Sequence, residues 1–148
     1  MSYILDSTYL DKSLTITSTS DKQDLTTSFD TAVGSEITYT PNSFGVNVIY
    51  EYNTIWSYKD GTSKLIFRLA EYNSGTSSWD VIDGSYVTIK SVKYGSGLIN
   101  YKYAQQKWSG SKQLRLECKD SAASLEGYLH SNWSQDKYFN PSVECTTI

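Results

Sequence analysis

Residues Val46 to Tyr58 read V-N-V-I-Y-E-Y-N-T-I-W-S-Y and alternate strictly over thirteen positions. Val46, Val48, Tyr50, Tyr52, Thr54, Trp56 and Tyr58 fall on one side, and Asn47, Ile49, Glu51, Asn53, Ile55 and Ser57 on the other. A two-residue period built from β-branched and aromatic types fits a pleated, half-buried strand and not a helix. At roughly 3.3 Å per residue such a strand runs on the order of 40 Å, the height of a small sandwich. Strands are usually about 5 to 6 residues long, so this one is expected to be a central spine or to be bent by a bulge.

The rest of the chain follows the same period. Glu36 to Thr40 alternates and stops at the turn residues Pro41 to Gly45. Lys59-Asp60-Gly61 is a hairpin signal leading to a return strand, Ser63 to Tyr72, with Leu65, Phe67 and Leu69 facing the core. Trp79 to Ile82, closed by Asp83-Gly84, and Ser85 to Val92 read as further hairpin strands. Beyond a turn at Tyr94 to Gly97, Ile99, Tyr101 and Tyr103 oppose Leu98, Asn100 and Lys102. Leu114, Leu116 and Cys118 then point inward, and Ser124 to His130 and Ser142 to Ile148 close the series. Short strands with turn signals every eight to twelve residues and no helix of three turns predict an all-β antiparallel sandwich or jelly roll. Residues 1–35 carry the weakest pattern and are expected as an N-terminal arm, with the jelly-roll domain over residues 36–148. Such an arm either pairs with an edge strand, lies on a neighbouring subunit, or is a mobile terminus.

Composition narrows the function. A chain of 148 residues favours one domain with one core. Thirteen Tyr and four Trp against four Phe and one Met give apolar surface that carries polar handles, as in contact surfaces or sheets with a wet face. Ser and Thr total 38 against two Pro, which suits strands with polar outer faces. The net charge of -3 is spread without a basic run, which argues against electrostatic recruitment to nucleic acid or an acidic membrane. No apolar run reaches the length of a membrane span, and M-S-Y-I-L-D-S-T lacks the features of a signal peptide, so the expectation is synthesis and folding in a cytosol. Cys118 and Cys145 are too few for a disulfide scaffold or a zinc site. Free core thiols are expected, with a bridge left open if their strands prove to be neighbours.

No catalytic constellation emerges. The single histidine, His130, has no Ser or Cys motif beside it and reads as a surface or packing residue. Glu51 and Glu71 would serve as a glycosidase pair only if a sugar cleft held them about 5 to 9.5 Å apart, and carboxylates on a wet sheet face are commoner. Gly95 and Gly97 precede a strand pattern, not a helix start, so no phosphate loop and no cofactor is expected. Trp79, Trp108 and Trp133, with Tyr138 in the same aromatic loop as Trp133, are the candidates for stacking on a sugar or anchoring a protein contact. The competing role is to cap the open ends of the core. Asn132-Trp133-Ser134 matches a glycosylation triplet, taken as chance without a secretory signal. Ile49, Tyr50, Tyr52 and Ile55 are the candidates for an oligomer interface, because the long strand has a second side too apolar to stay wet.

Three stretches carry a resemblance: T-P-N-S-F-G-V-N-V-I-Y-E-Y (Thr40 to Tyr52), W-S-Y-K-D-G (Trp56 to Gly61) with its return L-I-F-R-L (Leu65 to Leu69), and W-S-Q-D-K-Y-F-N-P-S-V-E-C-T-T-I (Trp133 to Ile148). Together they resemble jelly-roll virion proteins of marine tailed bacteriophages, cyanophages especially. Pro141, Val143 and Ile148 come close to the family's ending, with different spacing. The resemblance covers about half the chain. It implies a trimeric jelly roll similar in build to tumour-necrosis-factor and C1q heads, serving as a capsid decoration, head fibre or tail-fibre component. The chain lacks an extended shaft, so attachment to other virion proteins would fall to residues 1–35. The expectation is a non-enzymatic homotrimer in the virion, assembled in the bacterial cytoplasm. The alternative is a carbohydrate- or receptor-binding module using the loop tryptophans on a host surface glycan.

Overall fold

In the computed structural model, which describes residues 11–58, 64–90, 95–121, 127–132 and 134–148, the alternating stretch is a single strand over Asn47–Tyr58. Every second side chain of it is buried, from Val48 through Tyr50, Tyr52 and Thr54 to Trp56. With it, the described residues form twelve strands: β1 (Asp11–Ile16), β2 (Gln23–Asp24), β3 (Asp30–Thr31), β4 (Ile37–Tyr39), β5 (Asn47–Tyr58), β6 (Lys64–Asn73), β7 (Ser78–Val81), β8 (Val87–Lys90), β9 (Gly95–Gln106), β10 (Lys112–Asp120), β11 (Tyr128–Leu129) and β12 (Ser142–Thr147). All described pairings are antiparallel, and there is no helix among the described residues.

Several strands are collinear halves of one line. β11 and β12 both pair with β5, β1 and β2 lie outside them, and β9 takes the other side of β5, which gives the first sheet. In the second sheet β10 and β6 are central, β3 and β4 share the outer side of β10, and β7 and β8 share the outer side of β6. The chain therefore alternates between two four-line sheets in the interleaved order of a jelly-roll sandwich.

The two sheets meet through aromatic rings. Tyr50 and Tyr101 of the first sheet cross edge to face at 6.1 Å, and Phe67 of the second lies 6.5 Å from Tyr52 and 6.0 Å from Tyr101. Leu65, Phe67, Leu69, Leu114, Leu116 and Cys118 complete the inner face of the second sheet, as their alternation implied. A buried tyrosine needs a partner for its hydroxyl. Tyr50 donates to Ser35 O at 2.6 Å, Tyr52 to Val33 O at 2.7 Å and Tyr101 to Ser85 O at 2.7 Å. These acceptors sit in the gaps of the broken edge strands, so core tyrosines satisfy carbonyls that the sheet ladder leaves open.

Of the readings offered for residues 11–35, the described residues show strand pairing, and into both sheets: β1 pairs with β12, β2 with β11 and β3 with β10. Three expectations are corrected. β5 and β6 are not a hairpin, because they belong to opposite sheets; the Lys59-Asp60-Gly61 turn lies outside the described residues. Asp83-Gly84 does not reverse the chain, since β7 and β8 run in the same direction along β6. Gly95 and Gly97 lie inside β9 and pair with Tyr58 and Trp56.

Candidate self-association surface

Side chains directly opposite one another in a ladder share a face. The outward face of the first sheet is therefore read in rows: Ile16, Ser142, Asn53 and Asn100; Leu14, Glu144, Glu51 and Lys102; Lys12, Thr146, Ile49 and Ala104; then Ile55 with Leu98. Leu98 is 77% exposed, Ile16 62% and Leu14 51%, while Ile49 and Ile55 are half-buried. Polar groups of the middle rows bond among themselves. Asn100 Nδ2 donates to Glu51 Oε2 at 2.5 Å and to Asn53 Oδ1 at 2.6 Å, and Lys12 neutralises Glu144 at 3.1 Å. Beside them a groove of about 450 Å³ is lined by Asn53, Leu98, Ile99, Asn100, Phe139 and Ser142.

The outward face of the second sheet is clad by its own side chains. Glu117 is buried and held by Arg68 Nε at 2.7 Å and Arg115 Nη2 at 2.7 Å. The far faces of those guanidiniums are covered too: Arg68 lies 3.8 Å from the centroid of Phe29 and Arg115 4.2 Å from that of Trp79. Tyr72 packs on Trp79 at 5.4 Å and Tyr86 on Phe29 at 6.1 Å. Planar cations stacked on rings and forked onto a carboxylate satisfy these charges, while Tyr72 stays 40% and Tyr86 53% exposed. On the first sheet the described cation–ring contact is Lys22 over Tyr128 at 4.8 Å, at the β2/β11 end of the sheet.

The residues singled out from the sequence divide accordingly. Ile49 and Ile55 lie on the candidate face, whereas Tyr50 and Tyr52 project to the other side of the same strand and are fully buried in the core. A period of two cannot put neighbours of opposite parity on one surface, so these two tyrosines leave the interface set. Trp79 lies on the second sheet under Arg115. Trp108 caps one end of the sandwich, its Nε1 donating to Tyr39 O at 3.3 Å with Lys112 over the ring. Tyr138 is 43% exposed in the loop at the other end, its hydroxyl donating to Gln135 O at 3.0 Å. The length of β5, about 30 Å or more, separates these two ends. Trp133 lies outside the described residues.

Glu51 and Glu71 are on opposite sheets, Glu71 paired with Lys112 at 2.8 Å, and form no carboxylate pair. His130 is a packing residue: Nδ1 lies 2.7 Å from Thr54 Oγ1 and Nε2 3.2 Å from Gln23 Oε1. Gln23 Oε1 already accepts the Val33 N–H, and its Nε2 donates to Thr31 O, so the imidazole carries its proton on Nε2 and accepts from Thr54. Burial lowers its pKa to about 4. Asn132 of the glycosylation triplet is engaged within its loop by Asp136 and Lys137. No group of metal-ligand residues occurs among the described residues.

No protein-family model matches the chain, and neither does any curated protein. Among solved structures, dimeric latent PorU from Porphyromonas gingivalis superposes with a TM-score of 0.41 at 10% identity, over 94% of this chain. The chain spans 13% of that protein's length, and a likeness at this level bears on neither fold nor function.

Proposed function

We propose that this chain is a non-enzymatic structural subunit of a virion, a capsid decoration or fibre component that assembles as a homotrimer in the manner of TNF- and C1q-like heads. The observation that carries the reading is the asymmetry between the two outward faces: one clad by Arg68, Arg115 and their rings, the other presenting Leu14, Ile16 and Leu98. Covering an aliphatic side chain of that size stabilises by about 1.5 to 3 kcal/mol, so packing of sister copies on this face is favourable. The carbohydrate- or receptor-binding alternative has less support. Trp79 and Trp108 each have a cation over the ring, which leaves Tyr138 as the exposed aromatic among the candidates described.

Sedimentation and native mass measurement test this directly. The expected trimer has three times the mass of the 16.7 kDa chain, and it is lost in Ile16→Asp and in Leu14→Asp. A monomer at every concentration would overturn the assembly. Absence of the chain from purified particles would overturn the virion role.

A further inference from the structure

Each sheet of a sandwich has two edges, and an open edge is a template for another strand unless something blunts it. Three of the four edges here are broken. The β1/β2 line is interrupted between Ile16 and Gln23, β3 and β4 are two and three residues long, and β7 and β8 are separated by the turn at Asp83-Gly84. The fourth edge, β9, runs unbroken for twelve residues and among the described residues pairs with β5 alone.

The backbone direction along this edge can be worked out. Asn47 and Ile148 exchange both hydrogen bonds at 2.9 Å, so odd-numbered residues of β5 turn toward β12 and even-numbered ones toward β9. Their β9 partners are odd-numbered, as in Val48 with Gln105 and Tyr50 with Tyr103, and Lys107 N continues the series by donating to Val46 O at 3.0 Å. The N–H and C=O groups of Leu98, Asn100, Lys102, Ala104 and Gln106 consequently face the open side. Neither proline nor a run of charge protects them: Lys102 is the one formal charge in the strand, and it leans 3.6 Å from Glu51 on the sheet face.

We propose that the open edge of β9 pairs with β9 of a second copy of this chain, antiparallel about a two-fold axis through the sheet. The strand is its own best complement. It has the right length, near-neutral charge and matching alternation. With the axis at Tyr101, Leu98 of one copy falls opposite Ala104 of the other and Asn100 opposite Lys102, so like charges do not confront each other. The pairing uses backbone groups at an edge and stands apart from face-to-face packing of the sheets, so in an assembly it would join one oligomer to the next.

The test uses the full chain, with hydrogen exchange and sedimentation followed against concentration. The amides of Leu98, Asn100, Lys102, Ala104 and Gln106 are expected to slow at least about tenfold as the edge-paired species forms. Ala104→Pro removes one outward N–H without touching the β5 ladder, and should abolish that species and its protection while leaving the mass set by the face contact. Gln106→Pro, at the strand end, serves if Ala104→Pro does not fold. Ile16→Asp separates the two contacts: it should dissolve the face assembly and keep the edge dimer. Edge amides that exchange equally fast at all concentrations, or proline variants that assemble as the parent does, overturn the proposal even if trimers persist.

Discussion

Ser35 and Ser85, far apart in sequence, do the same work on opposite edges of the second sheet. Each closes a four-residue turn, Ala32 to Ser35 and Ile82 to Ser85, with its N–H on the first carbonyl at 3.1 and 3.3 Å. The third position is Gly34 at φ 80° in one and Gly84 at φ 78° in the other, a conformation glycine adopts without penalty. Ala32 N donates to Leu116 O and Ile82 N to Leu69 O, both at 2.9 Å, while Leu116 N donates to Ser35 Oγ at 3.1 Å and Leu69 N to Ser85 Oγ at 3.0 Å. Leu116 and Leu69 are themselves opposite in the β10–β6 ladder, so both breaks fall at one level of the sheet.

Removing either hydroxyl strands a buried N–H at the centre of the sheet. Ser35→Ala and Ser85→Ala should each cost about 1 to 3 kcal/mol, read as a lower urea midpoint at unchanged m-value. Gly should be no better at these positions, because the lost acceptor is the side chain. Full stability in both variants would show that water replaces it.

Glu117 is 6% exposed between two arginines, and its removal leaves their charges facing each other. Glu117→Leu is expected to destabilise by about 3 kcal/mol, the cost of breaking one partner out of a buried pair. Adding Arg68→Met to that variant should recover part of the loss. A double variant less stable than the single would contradict this account.

His130 sets an acid limit. Its folded pKa of about 4 lies below the ordinary 6.5, so the unfolded chain takes up the proton first. Stability is then complete above about pH 6.5 and drains away as pH falls toward 4, by on the order of 3 kcal/mol. Denaturant midpoints measured across this window should slope in the parent and flatten in His130→Gln. The same slope in both would remove His130 as the cause.

Cys118 and Cys145 are free thiols buried on facing sheets, and burial pushes both up to about 12. The thiolate is the reactive form. A disulfide-exchange reagent at pH 8 should therefore find neither thiol in the folded protein and both in urea. Rapid labelling of one native thiol would mean that its sheet opens readily.

Side-chain parity in the long strands was legible from sequence. The inward sets Val48 to Trp56, Leu65 to Leu69, Ile99 to Tyr101 and Leu114 to Cys118 follow from period two alone. Strand partnership was less so. Asp60-Gly61 announces a turn, yet whether the next strand pairs or crosses the core depends on which sheet can bury its inner face. The two-residue strands β2 and β3 are polar and held by backbone bonds, so they carry no alternation to read, and the one in β1 is short. The paired Gly-Ser turns did leave a signal, Gly34-Ser35 and Gly84-Ser85, visible only once both are known to flank one sheet. On the candidate face, Ile49 and Ile55 were found by pattern, whereas Leu14 and Ile16 were hidden in what reads as an arm.

The position of β12 has a consequence for synthesis. Ser142–Thr147 lies between β5 and β1, inside the first sheet. A nascent chain that has emerged only as far as residue 141 leaves β5 from Val48 to Asn53 without its neighbour and β1 with nothing to dock on. Closure of the sandwich thus waits for these late residues, and premature stops there should yield insoluble fragments in place of shortened, folded subunits.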